Sequence, residues 1–204
     1  MRRWGLWALP AAGVLYIIGV VVRGAFINPT NSNSAQFVSW ASGTAIPVAY
    51  TFVSLAAVAA IIGYVFLDRE LNTSASRVGM LLAVSGAGFL LTLFGLLWFA
   101  IPATAASYNA GNHAAVDVIV RAFSDSTPVQ VLSGLNILGH IAFAVAVWRM
   151  GSLARVGAVA FAVAPILQAL VFSYGAEILG QVLFLPGAVL VVMAATSAPR
   201  SASA

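Results

Sequence analysis

The sequence predicts an all-α protein: a polytopic membrane bundle of six transmembrane helices, with two short amphipathic helices in the outer loops. Three observations predict it. Of 204 residues, 62% are hydrophobic and only 7% charged, whereas a soluble domain carries about 25% charged residues. A surface that poor in charge has to be covered largely by lipid. Apolar runs long enough for a hydrocarbon core of about 30 Å recur along the chain, and arginines cluster at their ends with a bias to one side. The length suits one domain, and we take residues 1–195 as that domain and 196–204 as a polar cytoplasmic tail.

The first run is 4–22, closed by Arg23; as a helix of about 28 Å it spans the core. No small-x-small cleavage site follows it, so it is expected to be a retained helix, with a cleaved signal as the alternative. The second is 45–67, followed by a polar connection holding Asp68, Arg69, Glu70 and Arg77. The third is 78–100, expected to stop near Pro102, since an internal proline lacks the amide hydrogen a helix needs. The fourth is 128–148, opened by Pro128 in a first-turn position and closed by Arg149. The fifth is 156–173, with Pro165 inside it; the sixth is 178–195, with Pro186 inside it.

With the N-terminus inside, Arg2, Arg3, Arg69, Arg77, Arg149, Arg155 and Arg200 fall on one side and Arg23 and Arg121 on the other. That asymmetry places both termini in the cytoplasm of a cell (inner) membrane protein. The two long loops are then outside. In 23–44, Asn33 or Ser34 is placed to cap a short helix with Phe37, Trp40 and Ala41 on one face. In 101–127, Asn112 is placed to cap a helix whose Val116, Ile119, Val120 and Phe123 recur at i, i+3, i+4 and i+7, with Asp117 and Arg121 as a solvated pair.

Polar side chains inside a membrane helix default to a functional hypothesis. Gln130, Ser133, Asn136 and His140 are spaced by three, three and four, and the last three fall within about 60° on one helix face. Gln168 on the fifth helix, and Glu177 and Gln181 one turn apart at the start of the sixth, are candidate partners. So are Tyr50, Thr51 and Ser54 on the second. Together these residues outline a polar cleft open to the outside. The competing reading is that the stripe joins helices through hydrogen bonds of about 0.6 to 2 kcal/mol each, and that Glu177 is a solvated carboxylate at the interface. Small residues, Ser85, Gly86 and Gly88 on the third helix and Gly151 and Gly157 around the fifth, point to close helix approach.

No cofactor, metal or catalytic set is expected. Two histidines at different depths do not make a haem pair, and two histidines without cysteine do not make a zinc set. No lysine offers a Schiff base, and GxSxG, Walker and HExxH motifs are missing from the sequence. The mixed charges of Asp68, Arg69 and Glu70 read as a solvated turn, and the sequon at 72–74 falls on the cytoplasmic side. Partners are expected to be the bilayer and either a lipid-like or small ligand or another membrane protein, not nucleic acid.

The stretch 144–158, AVAVWRMGSLARVGA, with its W-R helix end, small-residue turn, arginine and following helix, resembles a broad group of uncharacterised bacterial six-helix integral membrane proteins. The opening apolar run and the long outer loop are similar in kind. The resemblance implies the topology and no activity, cofactor or site residue. Three readings stand: a non-enzymatic ligand-binding protein or assembly subunit; a small transporter or channel along the His140 stripe; and an intramembrane lipid-modifying enzyme using His140 or Glu177 as acid or base.

Overall fold

The computed structural model describes residues 4–27, 34–124, 127–169 and 174–197. Among them are eight α-helices and no strand. They are α1 (Ala8–Arg23, entered by the 3-10 turn Trp4–Trp7), α2 (Ser34–Ala41), α3 (Ala45–Leu71) and α4 (Ser74–Asn109). Then come α5 (Ala114–Ser124), α6 (Thr127–Val147, followed by the 3-10 turn Trp148–Met150), α7 (Ser152–Ala169) and α8 (Tyr174–Ser197). Four segments are long and apolar enough to cross a membrane: Trp4–Arg23, α3, α4 and α8.

Six helices close a ring in the order α1, α3, α4, α6, α7, α8, with α8 returning to α1. Three of the joints are seams of small residues at which neighbouring backbones nearly touch. Gly19 lies against Ala49 and Val53, and Gly63 against Leu9, joining α1 to α3. Gly79 meets Gly139 and Phe143, and Gly86 meets the backbone of Asn136, joining α4 to α6. Gly157, Gly180 and Gly187 make the α7–α8 seam. Such contacts suit a medium in which helices gain nothing by hiding apolar surface from one another. Outward faces stay apolar: Leu55, Leu81 and Val182 are all at least half exposed.

The structure moves several expected boundaries. The third run does not stop at Pro102; α4 continues through it to Asn109. A proline forfeits one amide bond, and nearby hydroxyls commonly re-satisfy the backbone. The carbonyl that Pro102 frees is Trp98 O, four residues back; Thr104 Oγ1 donates to a different one, Ala100 O, at 2.7 Å. At about 54 Å, α4 outruns a bilayer core. Its end carries Ile101 and Ala105 into a second apolar cluster with Phe37, Val38, Ala41 and Ile46.

The expected polar connection after the second run shrinks to Asn72 and Thr73. Asn72 takes φ 47°, a left-handed cap. Thr73 then starts α4 with a capping box: Ser76 N donates to Thr73 Oγ1 at 3.0 Å, and Thr73 N to Ser76 Oγ at 3.1 Å. The buried Ser76 hydroxyl also reaches Asp68 Oδ1 at 2.7 Å. α7 begins four residues before the expected 156, because Arg155 does not stop a helix. Its guanidinium folds back over the Trp148 ring, with Nε donating to Trp148 O at 3.3 Å. α8 begins at Tyr174, placing Glu177 in its first turn, where a carboxylate meets the positive end of the helix.

The two loop helices form where the sequence places them. α2 buries Phe37 and Ala41, and Trp40 packs on Phe37 and Phe26. α5 buries Val116 while Asp117 and Arg121 stay exposed. Side chains of Val120 and Phe123, and Asn33, lie outside the described residues.

A candidate ligand site: the polar column inside the ring

The column starts at the end of the ring covered by α2 and α5. Arg23 closes α1 and Glu177 opens α8, so their antiparallel packing brings the two side chains together. Arg23 Nη2 donates to Glu177 Oε2 at 2.5 Å, with the side chains only 8% and 2% exposed. The Tyr16 hydroxyl donates to the other carboxylate oxygen, Oε1, at 3.2 Å. Tyr50 lies beside the pair, the Phe26 ring faces the guanidinium at 5.6 Å, and the Trp40 indole donates to Arg23 O at 3.4 Å. The expectation that Glu177 is a solvated interfacial carboxylate is therefore wrong. The extra turn at the start of α8 draws it under the α2 cap, and Arg23 offsets the cost of burying it.

Below the pair lies a cavity of about 60 Å³. Alanines of α1, α3 and α4, including Ala12, Ala56, Ala60 and Ala87, make the room, and Phe94 and Phe184 form part of the wall. Its polar lining is Tyr16, Tyr64, Asn136, His140, Gln168 and Gln181. Two buried oxygens here, Asn136 Oδ1 and Gln181 Oε1, have no hydrogen-bond partner. A buried carbonyl left unpaired costs about 1 to 3 kcal/mol.

The column ends at His140, buried at 1% exposure. Its Nδ1 lies 2.8 Å from Asn136 O. A carbonyl can only accept, so Nδ1 carries the proton, and the neutral ring offers Nε2 to the Tyr64 hydroxyl at 2.9 Å. Phe161 and Phe184 pack on the ring at 4.6 and 5.9 Å, and Tyr64 stacks on Phe143. His140 is thus held on both nitrogens by the protein itself.

Of the residues expected in a cleft, the structure gathers Asn136, His140, Gln168 and Gln181 around the cavity and sets Glu177 one helical turn above Gln181. Ser133 is half-buried on α6 and does not line it; the side chain of Gln130 lies outside the described residues. Tyr50 joins the ion-pair cluster, while Thr51 is exposed and bonds its own helix at Pro47 O. Sequence reasoning missed Arg23, Tyr16 and Tyr64 as site residues. Arg23 carried a signal, as one of only two arginines on the sparsely charged side. The tyrosines, embedded in apolar runs, carried none. Among the described residues no group of three or more His, Asp or Glu is placed to hold a metal ion.

Among the described residues, four helical segments long and apolar enough to cross a membrane suggest a membrane-spanning helical protein. Compared with known proteins, the chain matches no family model, no curated protein and no solved structure.

Proposed function

We propose that the chain is a non-enzymatic six-helix protein of the cell membrane, with both termini in the cytoplasm, that holds a small donor-bearing ligand in its central cavity. α6 and α7 supply the two spans beyond the four long apolar ones, and the arginine bias supports the orientation. One observation carries the ligand: Asn136 and Gln181, whose buried carbonyls have no hydrogen-bond partner among the described residues, both line an alanine-walled cavity inside the ring. A core selected only for packing fills such a space with side chains.

The chemistry of the occupant follows from the lining. Unpaired acceptors call for O–H or N–H donors. Arg23 and Glu177 neutralise each other, which favours a neutral group. At roughly 10 to 15 Å³ per water, the volume matches about four to six waters. That is the size of a small polar molecule or of the hydroxyl-bearing end of an amphiphile. The enzymatic reading loses support, because His140 and Glu177 are both engaged with protein partners and neither is free as an acid or base. The same engagement weighs against a path along the His140 stripe.

Native mass spectrometry of the protein released from lipid nanodiscs tests the reading. A discrete bound mass is expected on the wild type and is expected to be lost from Gln181→Leu, which has similar volume but no amide. Size-exclusion retention and helical circular dichroism check that the variant still folds. Bare wild-type protein, or a bound mass that survives Gln181→Leu, refutes it; a stoichiometric protein partner points instead to an assembly subunit.

A further inference from the structure

We infer that the outer face of the α6–α7 joint is a binding site for one anionic phospholipid, with its acyl chain in the groove and its phosphate on Arg149 and Arg155. The proposal is independent of the central cavity and uses a different surface.

The groove exists because of side-chain size. The α6–α7 joint is more sparsely packed than the α1–α3, α3–α4, α4–α6 and α7–α8 joints. Ala144, Ala158 and Ala162 form its floor, while Val145 and Val159, 61% and 50% exposed, form its walls. The resulting groove, about 450 Å³, is apolar along its length and ends at Trp148 and Arg149. An apolar channel on a lipid-facing surface fits an acyl chain, and its polar end specifies which lipid.

That end is positive. Arg149 lines the groove and is exposed. Arg155 is held in place by its bond to Trp148 O and its position 5.9 Å over the Trp148 ring. Between 148 and 155 the chain contains no acidic residue, and among the described residues neither arginine has a carboxylate partner. The amino end of α7 opens at the same corner. Gly151, whose carbonyl accepts from Arg155 N, precedes the helix without a side chain to cap its first amides. Arginine forks and open helix amides both suit a phosphate, and Trp148 sits where an indole settles at a headgroup layer. Basic pockets between membrane helices are a recurrent way of holding anionic lipid headgroups.

The test uses full-length protein in nanodiscs of equal parts phosphatidylcholine and phosphatidylglycerol, with the retained lipids read by mass under stepwise activation. One retained phosphatidylglycerol is expected. Each arginine near an anionic headgroup gives about a fivefold preference, so the pair gives about 25-fold over phosphatidylcholine. Arg149→Gln with Arg155→Gln is expected to abolish that preference. Val145→Trp, at an exposed wall position, is expected to fill the groove and lose the lipid while helicity is unchanged. Equal retention of the two lipids by the wild type overturns the proposal, and that comparison needs no variant to fold. Retention of phosphatidylglycerol that survives both changes also overturns it.

Discussion

The Arg23–Glu177 pair allows a quantitative test of how the ring is closed. Both side chains are almost fully buried, so removing one partner strands the other. Arg23→Met leaves a buried carboxylate with the Tyr16 hydroxyl as its hydrogen-bond donor; Glu177→Leu leaves a buried guanidinium whose Nε bonds Gly24 O at 3.4 Å. Breaking a buried pair in this way costs about 3 to 5 kcal/mol, which in a domain of this length lowers the melting temperature by about 6 to 20 °C. The double variant removes both charges and takes a partner from the Tyr16 and Tyr50 hydroxyls, at about 1 to 3 kcal/mol each where they find no new one. It is expected to recover most of the loss, since replacing both ions by apolar groups is often neutral or stabilising. Tryptophan-fluorescence melts in one detergent measure all four proteins. If the double variant falls by the sum of the singles, the two charges act independently and the reasoning fails. If neither single variant changes, the pair is solvated and the site is misdescribed.

The other predictions concern packing and local bonds. Gly86→Ala places a Cβ 2.8 Å from Asn136 N and is expected to cost about 1 to 3 kcal/mol by forcing α4 from α6. Gly88→Ala, three ångströms of helix away with nothing within 4 Å, is expected to stabilise by up to about 1 kcal/mol; the same melts separate the two. Thr73→Ala removes the cap of α4 and is expected to cost about 0.5 to 2 kcal/mol, read in the same way. Tyr64→Phe leaves His140 Nε2 without its donor and is expected to cost about 1 to 3 kcal/mol without changing the mass of any cavity ligand; a changed ligand mass would mean that His140 belongs to the binding set.

Helix identity could be read from the sequence because hydropathy reports burial in lipid directly, and the two loop helices because their periodicity survives in short segments. Boundaries could not, for physical reasons that differ by site. Pro102 costs a single backbone bond in a helix that runs on to Asn109, a loss that spacing alone does not weigh. Arg155 and Glu177 stand just before the expected helix starts at 156 and 178, yet each lies inside a helix, one bonded back over Trp148 and the other paired across the ring. The polar stripe set Asn136 and His140 on one helix face, and both line the same cavity, because an i, i+4 relation is local. Its partners were another matter. Tyr64 meets His140 across 76 residues and Tyr16 meets Glu177 across 161, and nothing in either apolar run marks those tyrosines apart from neighbours that face lipid.

The joint between α1 and α8 shows why such distant pairs occur where they do. Every other joint of the ring links helices that follow each other among the six, so a short connection or a capped loop helps to bring them together. α1 and α8 are the first and last, and in lipid an apolar face has no preference for one helix over another. Gly13 against Phe184 and Leu185 gives this joint shape, but shape alone does not fix which helix docks or at what height. A buried ion pair does, because any misregistered docking leaves two charges unpaired in an apolar medium, each costing several kcal/mol. On this argument Arg23 and Glu177 specify the closure more than they stabilise it. The double apolar variant should therefore recover most of the melting temperature that the single variants lose yet unfold over a broader range, whereas an equally sharp transition would assign the specificity of the joint to the glycine seam.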